Sequence, residues 1–298
     1  MRSVRTRANA PPPVRRPQEA ARSSTAGVQS FGELLKAWRT ARRYSQLELA
    51  GQTQVSQRHL SFLESGRAGP SREMVLHLGA ALCVPLRERN DLLAAAGFAP
   101  MYPERALDDC SMAAIREALE TTLRHHEPFP ALVVDRQWNV VLHNAAVDRL
   151  IGLVGEPARV WRKVDPTGGR NLMRLTLHPG GLQPLVVDWP ETAAALLMRL
   201  SSEVQASPAD ARLQELLVEL RALPGVPPAG HPAGAQPNMR VPVLTLRLRK
   251  GKQTLAFFSM ICTFGTALDL TADELRLELL FPGDGFTADF LRASGVKR

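Results

Sequence analysis

The sequence predicts a chain in two folded parts: an all-α unit of five helices, then an α+β unit built on an antiparallel sheet. Three observations predict this division. From Phe31 to Gly97, apolar residues recur at helical spacing between serine and glycine punctuation. Beyond about residue 112, strand-like runs alternate with helical ones. The excess positive charge lies wholly in the first part: residues 1–98 hold 15 Lys+Arg against 7 Asp+Glu, and residues 99–298 hold 22 of each.

Residues 1–28 carry six arginines among prolines and small polar residues, with only Val4, Val14 and Val28 as sizeable aliphatics. Such a segment buries too little apolar surface to fold, so a disordered basic tail is expected. Residues 29–98 form the first unit. Phe31, Leu34, Leu35 and Trp38 make one helical stripe. Ser45 and Glu48 fit a capping box, in which each side chain satisfies the other residue's orphan backbone donor. A tight turn is expected at Gln52 to Gln54, then a helix opened by Ser56 and ended by Gly66 in a left-handed conformation. On that helix Leu60 and Leu63 face inward, with Val55 and Leu49, while Gln57, Arg58 and Ser61 share the other side. Ser71 opens a fourth helix with Val75, Leu78 and Leu82 inward. Pro85 breaks it, and a fifth helix from Leu86 to Ala96 stops at Gly97.

Two short helices with glutamine and arginine on the first turn of the second make a helix-turn-helix, since such side chains read adenine and guanine edges in a major groove. The basic charge of this part suits phosphate. Candidate DNA contacts are Ser45, Ser56, Gln57, Arg58, His59, Ser61, Phe62, Arg67 and Arg72. For His59 a phosphate contact and an idle surface position stand equal. Phe62 is open between core filler and a contact to a thymine methyl, and Ser71 with Arg72 between a phosphate site and a plain cap. One small unit reads few bases, which predicts a homodimer on a pseudo-palindromic double-stranded operator.

Residues 99–111 read as a linker and residues 112–293 as the second unit. Met112 to His126 is helical, with Ile115, Leu119 and Leu123 on one face. Residues 131–135 and 138–142 make a hairpin about Arg136 and Gln137. Asn144 opens a short helix to Ile151, and residues 188–203 and 208–223 are longer helices. Pro224 to Pro237 is a flexible loop. Val243 to Arg249 is a half-exposed strand, and Thr254 to Phe264, nearly continuously apolar, a buried one. Residues 271–281 fit either a helix capped by Thr271 and Glu274 or a strand.

No run of apolar residues is long enough for a membrane span, and no signal peptide precedes Pro11. Cys83, Cys110 and Cys262 are scattered, which suits a reducing cytoplasm. No metal or catalytic spacing occurs: His125-His126-Glu127 lacks a zinc-protease partner, and there is no phosphate-binding loop. Neither an enzyme nor a cofactor is expected.

Residues 31–98 resemble the Xre-type, phage-repressor-like helix-turn-helix family in their S-Q-x-E-L-A and L-x-x-L-E-x-G-x-x-x-P-S patterns. The resemblance implies a five-helix λ-repressor-like fold, a DNA phosphate contact and a bracing role for Gln46, and a partly buried ion pair between Arg39 and Glu64. Residues 130–139, Asn144, 171–179 and 264–266 resemble the MmyB-type ligand-binding domain. That resemblance implies a PAS-like pocket for a small apolar ligand such as a fatty acid or other acyl compound. Candidate pocket residues are Trp138, Asn144, Met173, Arg174, His178, Phe257 and Met260. Arg174 and His178 suit a carboxylate head group, and equally an internal ion pair and a helix cap. Two functions stay open: a ligand-sensing DNA-binding regulator, or a constitutive one whose C-terminal domain serves only dimerisation or partner binding.

Overall fold

The computed structural model describes residues 29–207, 210–228 and 245–295. Two compact units divide between Met101 and Tyr102. The basic segment 1–28 and residues 229–237 of the Pro/Gly loop lie outside the described residues.

The first unit comprises α1 (Phe31–Ala41), α2 (Gln46–Thr53), α3 (Gln57–Glu64), α4 (Arg72–Ala81) and α5 (Leu86–Ala95). Serines cap four of them. Ser30 and Ser45 form reciprocal capping boxes with Glu33 and Glu48, and Ser56 and Ser71 accept from the amides of His59 and Met74, each at 3.2 Å. The turn between α2 and α3 starts later than expected: Gln52 and Thr53 are still helical, and Gln54 takes the left-handed conformation at φ 55°. Gly66 and Gly97 end their helices at φ 70° and 83°, where a side chain would be strained. The core joins Phe31, Leu35, Leu49, Leu60, Leu63 and Val75. At the crossing of α1 and α3 the two backbones nearly touch. A Cβ on Gly32 would lie 2.6 Å from the Leu63 carbonyl oxygen and 2.7 Å from that of Glu64.

In the second unit, a 3₁₀ turn (Cys110–Met112) leads into α6 (Ala113–His125), β1 (Ala131–Val134), β2 (Val140–His143) and α7 (Ala145–Ile151). Then come α8 (Pro157–Val164), α9 (Leu172–Leu177), α10 (Trp189–Ala206) and α11 (Ala211–Arg221). The chain finishes with β3 (Thr245–Lys250), β4 (Gln253–Cys262), α12 (Leu270–Glu274), β5 (Arg276–Pro282) and α13 (Gly285–Gly295). Of the stretch expected to link the units, Tyr102 onward lies with this second unit: the Pro103 carbonyl accepts from Leu270 N at 2.8 Å, and Leu107 packs beside α6.

The five strands form one antiparallel sheet in the order β2-β1-β5-β4-β3. One face packs Ala131, Val133 and Leu277 against Leu119 and Leu123 of α6. The other gives Leu132, Val134, Leu248, Leu255, Phe257 and Leu280 to the main core, where α7 to α11 cover it. The undecided stretch 271–281 resolves into both readings in series: α12, capped by Asp269 rather than Thr271, runs straight into β5. The stretch expected as a buried strand is only half buried. In β4, Leu255 and Phe257 are buried while Met260 is 52% exposed, because side chains alternate between the core and a less covered face.

Candidate DNA-reading surface and ligand cavity

The two faces of α3 do different work. Leu60 and Leu63 are fully buried, whereas Gln57 and Arg58, on the first turn after the Ser56 cap, are exposed together with Ser45, Ser56, Arg67 and Arg72. Ser61 and His59 are half-buried. Phe62 is half-buried too, beneath two guanidinium groups: Arg58 and Arg67 stand 5.4 and 6.0 Å from its ring centre. Cations over the ring face hold it near the surface rather than in the core.

Behind this surface, Arg39 of α1 meets Glu64 at the end of α3, with Nε and Nη2 donating at 2.6 and 3.0 Å. Gln46 donates to the same carboxylate at 2.9 Å. Its side-chain amide thus braces α3 from α2, and both charged side chains are largely buried, at 13% and 5% exposure. Burial pushes the Glu64 carboxyl up. The hydrogen bonds from Arg39 and Gln46, with the charges of Arg39 and Lys36, outweigh it and hold the group below its ordinary value.

The second unit holds a cavity of about 270 Å³ between the core face of the sheet and helices α7, α9 and α10. This is near the lower end of ligand-sized pockets, about 300–1,000 Å³. Its walls are mostly Leu, Ile, Val, Met and Phe. Trp138, Met173 and Phe257 line it as expected from sequence. Trp138 arrives there through a tight turn. The Asp135 carboxylate accepts from the amides of Gln137 and Asn139, both at 2.8 Å, which leaves Trp138 left-handed at φ 66°. Its indole N–H donates to Glu203 at 2.8 Å, and Arg199 and Arg276 lie 4.6 and 5.2 Å from its ring centre.

Four expected pocket residues are not among those lining the cavity. Asn144 is a backbone brace, accepting from Ala131 N at 3.1 Å and donating to the Leu123 and Phe129 carbonyls at 3.2 and 2.8 Å. Arg174 is taken by acids, bidentate to Glu219 at 2.8 and 2.7 Å and paired with Asp165 at 3.0 Å. His178 accepts from Gly180 N through Nδ1 at 2.8 Å; burial, and then the Lys163 charge, lower its pKa. Met260 points to the exposed face of β4.

In their place stand polar residues that the sequence reading passed over: Arg199 of α10, Ser259 of β4 and Glu278 of β5. Burial holds the Glu278 carboxyl above its ordinary value, against the pull of the Ser259 hydroxyl and the Arg199 charge. The missed signal was the break in an otherwise apolar alternation. Read alone, it looks like a solvent face; on a strand covered on both sides, it marks a polar group turned inward.

Among the described residues, no helix is long and apolar enough to cross a membrane, and no three His, Cys, Asp or Glu residues cluster as metal ligands. No curated protein matches the chain. A family model described as a helix-turn-helix domain matches residues 30–92. A second, described as the MmyB-like transcription regulator ligand binding domain, matches residues 115–293. The cavity lies inside the second match and the reading helix inside the first, and the chain belongs to the MmyB-like transcription regulators, with an N-terminal helix-turn-helix and a C-terminal ligand-binding domain.

Proposed function

We propose that this regulator senses a small aliphatic ligand, an acyl compound of medium chain length, and that the ligand changes its affinity for operator DNA. The observation that carries this reading is the cavity itself: about 270 Å³, walled mostly by aliphatic and aromatic side chains, within the ligand-binding domain. Each buried CH₂ contributes roughly 0.8 kcal/mol, so a medium chain binds firmly there without catalytic machinery. The domain acts as a sensor rather than an enzyme, and its setting is cytoplasmic. A sheet backed by helices around such a cavity also suits the PAS-like reading.

The test is a titration of operator DNA with protein stripped of lipid and then reloaded with acyl compounds. A tenfold change in affinity, equivalent to about 1.4 kcal/mol of coupling, is expected. An unchanged affinity for every compound that binds would favour a C-terminal domain serving dimerisation alone.

On the DNA side, Gln57 and Arg58 read bases, while Ser45, Gln46, Ser56, His59, Ser61, Phe62, Arg67 and Arg72 position the helix on phosphates and groove walls. Gln57→Ala and Arg58→Ala are each expected to weaken cognate operator binding by about 1–3 kcal/mol with little loss on random DNA. Equal losses on both DNAs would limit the pair to backbone contacts. The assembly on DNA is a homodimer whose half-sites lie about one helical turn apart, near 34 Å. Light scattering should give two chains per operator; one chain per operator would exclude the dimer.

A further inference from the structure

Ion pairs tie the wall of the cavity to the segment of chain that enters the second unit. Trp138, in the turn between β1 and β2, lines the cavity. Arg136, two residues before it, is clamped by carboxylates from two other elements. Its Nε lies 2.8 Å from Asp210, the cap of α11, and its Nη1 lies 3.2 Å from Glu274, the last residue of α12. All three side chains are largely buried, at 11%, 9% and 18% exposure. A second tie runs beside the first. Glu203 accepts from the Trp138 indole at 2.8 Å and pairs with Arg276, the first residue of β5, at 2.7 Å. Both ties thus end at the junction of α12 and β5.

The other end of α12 holds the entering chain. Leu270 N donates to the Pro103 carbonyl at 2.8 Å, and Arg105 pairs with Asp269, the cap of the helix, at 3.4 Å. At five residues, α12 spans about 7 Å and shifts as one piece. Just upstream, Met101 N donates to the Asn90 side chain of α5 at 2.9 Å. Tyr102 alone separates that anchor on α5 from the Pro103 anchor on α12. Buried ion pairs add little net stability over apolar packing of the same volume, whereas networks of packed and paired side chains are what carries coupling between distant sites.

We propose that Arg136 is a positioning residue for the ligand response: through Glu274 and α12 it sets the place of Pro103 and Arg105, and so delivers the filling of the cavity to the chain that leads to the helix-turn-helix. This rests on the ligand-sensing reading above and names the residues that transmit the response. A ligand pressing on Trp138 moves the turn that also carries Arg136. The guanidinium then draws Glu274 along or releases it, and in both cases the hold of α12 on Pro103 changes.

The experiment measures the operator affinity of lipid-stripped full-length protein with and without dodecanoic acid, whose binding is followed separately by calorimetry. Wild type should show about a tenfold difference in operator affinity. Glu274→Gln removes one charge that Arg136 grips and leaves Asp210 in place. This variant should bind dodecanoic acid within about twofold of wild type, while its DNA response falls below about twofold. Arg105 is 44% exposed and is not among the residues lining the cavity, so Arg105→Gln should spare ligand binding and cut the response to about threefold. Arg292→Gln is the control: its acid partner, Asp289, lies on the same helix, α13, and the response should stay near tenfold. A full response in both Glu274→Gln and Arg105→Gln, or a response lost only together with ligand binding, would overturn the proposal and leave ligand sensing intact. Wild type that fails to bind dodecanoic acid, or binds it with no change in operator affinity, would end the sensing reading and this one with it.

Discussion

Arg39→Ala destabilises the helix-turn-helix unit by about 3–5 kcal/mol, the range expected when one member of a buried ion pair is removed and its partner stays. The geometry supports the upper part of that range. Glu64 is 5% exposed and would keep only the Gln46 amide as a hydrogen-bond donor, with the Lys36 charge nearby, while the Tyr44 carbonyl would lose the Arg39 Nη1 donor at 2.7 Å. Glu64→Ala strands the guanidinium instead and should cost a similar amount. Hydrogen exchange over residues 31–95 of the full chain measures the loss within this unit, and protection unchanged in both variants would show that the pair contributes nothing. The same pair predicts an acid dependence. The Glu64 carboxyl is held below its ordinary value, so its contribution is complete above the unfolded value and lost as pH falls through the folded one. Wild type should therefore weaken on acidification more steeply than Arg39→Ala.

Trp138→Ala should lower the stability of the ligand-binding domain by about 3–5 kcal/mol, as truncating a buried aromatic usually does. The indole is 2% exposed and fills the wall of the cavity. Its loss also removes the donor to Glu203 and the ring between Arg199 and Arg276. The backbone adds a second test. At φ 66° an alanine still carries left-handed strain, about 1–2 kcal/mol, which a glycine does not. Trp138→Gly should therefore be the less damaged variant, by about 1 kcal/mol. Urea unfolding followed by the remaining tryptophans decides this. A midpoint unmoved by either change would mean that the indole is replaceable.

The helix-turn-helix was legible because its signals are local. A serine cap, a glutamate three residues on, a left-handed glycine and an apolar pair on one face are all settled within a single turn of helix, and the Arg39–Glu64 pair followed from family resemblance. The sheet hairpin and the long helices were legible for the same reason. What failed was whatever depended on a partner far along the chain. For Arg174 the internal ion pair, one of the two readings left open, is the one found, and only its partner was unreadable, since Glu219, 45 residues away, cannot be paired with it by periodicity. Asn144 looked like a pocket residue, and only the fold brings the Leu123, Phe129 and Ala131 backbone groups around it. Glu278 went unnoticed because alternation assigns a polar residue to water, and the sequence gives no sign that helices cover both sides of β5. The short α8 and α9 were likewise unread, each being too brief to establish a period.

The close approach of Gly32 to the carbonyls of Leu63 and Glu64 has a consequence for how this protein can change over generations. With a methyl group's room missing at 2.6 Å, position 32 accepts a larger residue only after α1 and α3 have first moved apart. That movement would pull Arg39 away from Glu64, so the two changes obstruct each other in either order. Gln57 and Arg58 carry no such constraint, since they touch no part of the core. On the base-reading role proposed above for these two residues, descendants of this chain are free to acquire new operators by drift at the surface of α3, while the angle at which that helix is presented stays locked by an atom that is not there.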